Sequence, residues 1–298
     1  MKLIKPKAEL LTQSNGIEGI YKQIELCGRT CYKSEDKITE NSAKPFVDRM
    51  IASNHLAMLE HGTVYLAKEV DYTSSDYLGL EDKYESNKYS KVSYEGGIVY
   101  ITTNYRVLVE NNWLDDLKYI CKPTEYHEKR YTFRLTTSIG VTRELNRHRV
   151  HSIAEQSTRY CNYSKNKFGN ELTFCIPNWI DEEELSKIGP YKRVIRKKDA
   201  SSIEIWITSL LNDEENYLKL INKGWQPQQA REVLPLCTAT EIIHTAFASD
   251  WRHFFDLRYF ECTGKVHPNM MELTELMYKE ADTKGILIDI VYDSKRAN

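Results

Sequence analysis

Arg147-His148-Arg149, followed after a seven-residue gap by Ser157-Thr158-Arg159-Tyr160, restricts the backbone more than any other stretch of this chain. On a helix, consecutive side chains point about 100° apart, so these three could not all face one ligand. In an extended or looped backbone the two arginines face one side and His148 the other. The segment therefore reads as a loop between two binding surfaces. It gathers three arginines, a histidine and hydroxyls, with Glu155 and Gln156 just ahead of Ser157. Planar, multi-donor groups at that density suit a surface that holds phosphate oxygens and a flat polar ring together. A solvated charged turn is the plain alternative for Arg-His-Arg taken alone.

Composition narrows the class. At 298 residues the chain can bury a sizeable core, as one large domain or two small ones. The net charge of −2, with both signs interspersed, argues against a general nucleic-acid surface. Any anion must then be captured by a local arginine cluster. No stretch approaches the roughly 20 apolar residues that span a bilayer. The first apolar run is broken by Lys5 and Lys7, unlike a secretory signal. The seven cysteines are scattered without a CxxC pair, as buried small hydrophobes of a reducing compartment would be. His148 and His151 stand three apart without a supporting carboxylate motif, so no metal site is expected. The expectation is a cytoplasmic enzyme that uses neither nucleic acid nor membrane.

The chain reads as one compact unit without repeats. Residues 15–32 and 43–55 have helical patterning, and His61 to Leu66 reads as a strand. Val70 to Gly97 is polar and predicts a surface excursion. Ile98 to Thr103 is β-rich, Asn104 can cap helical residues through about Cys121, and Tyr131 to Thr137 is a further strand. Asp199 is placed to cap a helix whose apolar positions (Ile203, Ile207, Leu210, Leu218, Ile221) follow the 3.6-residue period to Gly224. Pro227 suits the first turn of a short helix carrying Arg231, and Pro235 stops it. Residues Thr240 to Cys262 read as one helix with a stripe of Ile243, Phe247, Trp251 and Phe254, and Arg258 falls on that stripe. A buried unpaired arginine costs several kcal/mol. Arg258 must therefore meet a carboxylate, a carbonyl cluster or an anionic ligand.

Arg-His-Arg, a seven-residue gap and Ser is also the signature of the flavin-dependent thymidylate synthases, and the chain resembles that family from about residue 45 to 280. His55-Leu56-Ala57-Met58-Leu59-Glu60-His61 is similar to its His, small or hydroxyl residue, Glu-His segment. Ala230-Arg231-Glu232-Val233-Leu234-Pro235-Leu236 is similar to its Leu-Pro-Leu segment, and Asp256-Leu257-Arg258 to its late Leu-Arg. The resemblance implies an α+β fold, a central mostly antiparallel sheet flanked by helices, known as the thymidylate synthase-complementing protein fold. It implies a single domain over 1–298 with a longer-than-usual insertion at about 67–130, and a homotetramer whose sites combine several subunits. The signature and the Arg258 region are then expected from different chains.

The implied reaction is reductive methylation of dUMP to dTMP, with 5,10-methylenetetrahydrofolate as carbon donor and NADPH-reduced FAD as hydride donor. The resemblance assigns Glu144, Arg147, Glu155, Gln156, Ser157, Thr158, Arg159, Arg231 and Arg258 to dUMP, with Arg258 as the catalytic group at the uracil ring. It assigns His55, Ala57, Arg147, His148, Arg149, Glu155, Phe247, Ser249 and His253 to FAD. Five positions depart from the family pattern. Glu144 stands for Gln, Phe247-Ala248-Ser249 for Asn-Ala-Arg, and His253 for Asn, while Ala57 lacks a hydroxyl often found there. Two other readings compete. One is a catalytically silent nucleotide-binding protein; the other is a metal-dependent nucleotide hydrolase using His148, His151 and Glu155.

Overall fold

The computed structural model describes residues 1–70, 81–188 and 199–291. The architecture is α+β, a central antiparallel sheet flanked by helices, with two smaller sheets beside it. Nine strands are described: β1 (Lys2–Ile4), β2 (Lys7–Leu11), β3 (Thr63–Glu69), β4 (Lys91–Glu95), β5 (Ile98–Asn104), β6 (Arg130–Ser138), β7 (Ser152–Glu155), β8 (Thr173–Cys175) and β9 (Ala239–Phe247). The central sheet runs β2-β6-β9-β7, with every neighbour antiparallel. A second antiparallel sheet runs β3-β5-β4, and β1 pairs with β8 in parallel.

Each face of the central sheet has its own core. On one face Ile243 of β9 and Ala154 of β7 pack on Cys27 of the helix Gly16–Tyr32. On the other, Ile242, Ala246 and Phe133 pack with Trp251, Phe254 and Phe255 of the helix Ala248–Arg258 and with Met270, Leu273 and Met277 of the helix Pro268–Thr283. Trp251 is fully buried and its indole N–H donates to the Tyr131 carbonyl at 3.0 Å, so the ring satisfies its one donor while filling the core. Truncating such a side chain costs about 3–5 kcal/mol.

Several elements depart from the sequence reading. Thr240 to Cys262 is not one helix: residues through Phe247 form the β9 strand, and the helix begins at Ala248. Ile243 and Phe247 lie four apart, a spacing that keeps two side chains on one face of a strand as well as of a helix. The β-branched Thr240, Ile242, Ile243 and Thr245 favour the strand, and β9 is buried between β6 and β7, so no polar alternation marks it. Trp251, Phe254 and Arg258 do share the helix. Its partner Asp199 does not cap the helix Ser202–Asn222; Ser201 does, in a capping box with Glu204.

The helix capped by Asn104, whose side chain accepts from the Val107 amide, stops at Glu110 where Asn112 turns left-handed (φ 60°). The strand expected from His61 starts at Thr63, after a 3₁₀ turn over Leu56–His61. Of the expected excursion at 70–97, residues 71–80 lie outside the described residues. The remainder is structural rather than a surface loop: the helix Glu81–Glu85 buries Tyr84 against Trp113, and β4 joins the second sheet.

Candidate active site

The signature flanks β7, an edge strand of the central sheet. Ser138 accepts from the Val141 amide and starts the helix Ile139–Leu145, which delivers Glu144 to the loop. Beyond it the chain turns tightly: the His148 amide donates to the Leu145 carbonyl and the His151 amide to the His148 carbonyl. As the non-helical backbone requires, Arg147 and Arg149 are exposed and His148 is buried.

His148 meets Arg258. The guanidinium donates from Nε to His148 Nε2 at 3.2 Å, from Nη1 to Glu144 Oε2 at 3.1 Å, and from Nη2 to the Glu144 carbonyl at 3.4 Å. These contacts lie within one chain. Arg258 has its carboxylate in Glu144, at the position where the sequence departs from the family's Gln. Burial, then the Arg258 charge, holds His148 down to about pKa 4, so it is a neutral acceptor. Behind it, burial and His148 hold His151 at about 3, and His151 and His244 share a hydrogen bond between their Nδ1 atoms at 3.2 Å. Glu155 faces the same side; burial raises its carboxyl, opposed by hydrogen bonds from Thr142 and Asn146.

Past β7, the Ser157 amide donates to the Cys31 carbonyl, which lays Ser157–Tyr160 over the end of the helix Gly16–Tyr32. Arg231, in a 3₁₀ turn after the Pro227-initiated helix, donates to Thr158 Oγ1 at 3.3 Å. Its other charged contact is the neighbouring Glu232 at 3.6 Å. Arg159 is exposed and lies over the Tyr160 ring at 5.4 Å. Arg159, Thr158, Ser157 and Arg231 thus form a second cationic centre with few internal partners. Gln156 does not join it: its side chain is buried and donates to the Tyr163 hydroxyl at 3.2 Å.

The residues assigned to FAD divide into separate places. His55 and Ala57 line a groove of about 430 Å³ with Cys31, Tyr32, Met58 and Arg106. That groove adjoins the signature, because the Tyr32 and Tyr160 rings lie 5.3 Å apart. Its aromatic and thioether walls and one guanidinium fit a flat ring bearing anionic groups. Arg106, fixed by Glu60 at 2.6 Å, was not singled out from sequence; only its place two residues after the Asn104 cap marked it. His253 lies on the other face of the sheet, 6.4 Å from the His148 ring.

Phe247 and Ser249 are covered by residues of the 67–130 segment. The Phe247 ring sits under Arg130 at 5.4 Å and Lys91 at 5.7 Å, and the Ser249 amide donates to Glu128 at 3.2 Å. Arg130 is a further residue that sequence reasoning missed. Its guanidinium reaches the Glu60 carbonyl, Thr63 and Ser152, and burial lowers its pKa to about 10. Among the described residues no three His, Cys, Asp or Glu side chains gather as a metal site, and no helix is long and apolar enough to cross a membrane.

A cationic centre, joined through a signature loop to a neutral histidine and a preset arginine, is set at the edge of the central sheet of this α+β protein. Residues 99–284 match the sequence model of the family described as thymidylate synthase complementing protein, and the chain belongs to that family. It is 30% identical over 147 residues to the flavin-dependent thymidylate synthase of Pyrococcus furiosus, covering 49% of this chain and 53% of that one. It is 28% identical over 182 residues to that of Thermosipho melanesiensis, covering 60% and 73%. The chain thus matches about half the length of its Pyrococcus relative. Among solved structures it is similar to a UMP/dUMP methylase, PolB from Streptomyces cacaoi bound with 5-Br dUMP, at 17% identity and a TM-score of 0.42, covering 95% of this chain and 93% of that one.

Proposed function

We propose that the protein converts dUMP to dTMP by reductive methylation, with 5,10-methylenetetrahydrofolate as carbon donor and NADPH-reduced FAD as hydride donor. The observation that carries this reading is the contact of Arg258 with both His148 and Glu144; the loosely tied Arg159–Thr158–Arg231 centre is the second support. In this reading Arg159 and Arg231 grip the phosphate dianion, and Ser157 and Thr158 add hydroxyls. Glu155, kept near a dry site, accepts from ribose or ring N–H groups, while Gln156 supports the turn from beneath. Arg147 and Arg149 project from the loop, Arg147 toward both nucleotide and flavin.

Arg258 lies at the pyrimidine and favours negative charge developing on the ring. One unit charge about 4 Å away, at an effective dielectric near 20, is worth about 4 kcal/mol. Glu144 offsets part of that and holds the fork in place, so the net effect is preorganisation more than raw charge. When bound, FAD supplies the hydride, and this chain supplies position and electrostatics. His55 and Ala57 would hold its ring, and Arg106 would supply charge to its phosphates. His253 and His148 lie across the sheet from that groove. A single flavin touching both sets needs more than one copy of the chain, which supports shared sites and is compatible with the homotetramer.

The decisive experiment is the visible spectrum of purified protein. A flavin spectrum bleached by NADPH under anaerobic conditions is expected. Colourless protein that cannot be reconstituted with FAD overturns the reading. The covering of Phe247 and Ser249 by Lys91, Arg130 and Glu128 favours one second reading, a catalytically silent nucleotide-binding protein. Colourless protein that still binds deoxyuridylate would establish it.

A further inference from the structure

A second groove, of about 540 Å³, shares Tyr32 and Met50 with the one that holds His55 and Ala57. Four cations line it: Arg29, Lys37, Arg49 and Lys167, with Asp36 the one acid on its wall. Arg29 and Arg49 lie over the same Phe46 ring, at 5.1 and 5.3 Å. Arg29 spends its Nε on Glu25 at 2.7 Å, and Lys167 reaches the Lys33 carbonyl at 3.0 Å. Among the described residues neither Lys37 nor Arg49 has an ion-pair partner. In a chain of net charge −2, four cations in one groove mark an anion-binding surface.

The form of the groove selects the anion. It lies where the helices Gly16–Tyr32 and Ala43–Ala52 end, and Arg29 and Arg49 sit in their last turns. Helix carboxyl ends present carbonyls and partial negative charge. That leaves the cations to hold any anion, and it offers none of the convergent backbone N–H groups that gather a compact phosphate dianion. The cations come from four separate elements, with the apolar surfaces of Phe46, Tyr32 and Met50 between them. Spaced single carboxylates joined by methylenes match that arrangement.

We propose that this groove binds the oligo-γ-glutamyl tail of the folate co-substrate, with the folate's ring end lying against the flavin held at the adjoining His55–Ala57 groove. The proposal rests on the thymidylate synthase reading for the identity of the ligand. Its test does not need turnover. The probes are p-aminobenzoyl triglutamate and p-aminobenzoyl monoglutamate, titrated calorimetrically against the full chain at low salt. Exposed ion pairs are individually weak, so two added carboxylates should tighten binding about three- to tenfold, and added salt should erase the gain.

Lys37→Glu with Arg49→Glu, both exposed positions, should remove the gain for triglutamate and leave monoglutamate binding unchanged, with the thermal melt confirming the fold. In turnover the same variant should raise KM for the triglutamyl folate, with kcat and the monoglutamyl KM unaltered. Equal affinity of the two probes for the unaltered protein overturns the proposal, as does a variant that weakens both alike. Inorganic pyrophosphate binding more tightly than triglutamate, and lost in the same variant, overturns it in favour of a phosphate site. Triglutamate selectivity without any thymidylate formation would leave the groove standing and remove the proposed function instead.

Discussion

Arg258 and Arg231 belong to one candidate site, yet the fold treats them oppositely. Arg258 donates to three acceptors of its own chain, while Arg231 has one hydroxyl and a sequence-neighbour carboxylate. A guanidinium fixed before the ligand arrives has its orientation set by folding, so it can act on charge that develops later. One left with free donors gains most of its bonds on binding and gives affinity. The difference separates a group that acts in the transition state from a group that holds the substrate.

Arg258→Lys breaks that comparison most severely. Lysine keeps the charge but cannot span His148 Nε2 and Glu144 together. Turnover should fall about a hundredfold or more, the scale of losing one preorganised donor, with KM for deoxyuridylate changed far less. Steady-state conversion, on protein first checked for bound FAD, measures it. A near-normal kcat would mean that the His148–Arg258–Glu144 contact only stabilises the fold.

Arg159→Ala and Arg231→Ala probe the other side. Each removes charge-assisted bonds to phosphate and should weaken nucleotide binding by about 1.5–3 kcal/mol, roughly ten- to a hundredfold in Kd. Flavin content should survive both. If either variant lost FAD at normal nucleotide affinity, the division between holding and acting arginines would be wrong.

How these two centres read from sequence differs for a physical reason. The loop conformation of Arg147–Arg149 follows from side-chain directions, and the buried His148 between exposed arginines matches it. Arg258 was legible as an arginine that needs a partner, because Trp251, Phe254 and Arg258 share a helical stripe. Which partner was not legible: Glu144 lies 114 residues away, and no local pattern encodes a long-range pair. The β9 strand was lost to the spacing of Ile243 and Phe247, which fits both periods. In the β3-β5-β4 sheet, β3 and β5 were legible as strands, and β4 was missed because it is short and half exposed and its worth comes from pairing with β5.

The histidines behind Arg258 offer a smaller effect with a definite sign. Burial lowers His148 to about 4 and His151 and His61 to about 3, below the unfolded value near 6.5. Between those values the unfolded chain binds more protons, so stability is full above about pH 6.5 and declines as pH falls toward 4. For His148 the loss between pH 7 and pH 5 is about 2 kcal/mol. Urea melts at the two pH values check it, and His148→Gln should flatten the dependence by about that amount. An unchanged slope in the variant would show that the fold does not hold His148 neutral.

The smallest expected effect concerns Cys161, which follows Arg159 and Tyr160 in the sequence. The structure buries its side chain to 1% exposure among Tyr163, Leu172 and Phe174, and burial pushes the thiol up to about 11. Lys167 and Lys33 lower it, but by less than burial raises it. At neutral pH the thiolate fraction is then about one in ten thousand, which is opposite to the activation a nucleophilic cysteine needs. Cys161→Ser should keep turnover within about twofold and lower stability by about 1 kcal/mol, because a hydroxyl in that cluster meets no assured partner. The measurement is kcat beside a thermal melt. A dead but folded Cys161→Ser would mean that the reaction runs through a covalent cysteine adduct, and Arg258 would lose the role that its contacts with His148 and Glu144 support.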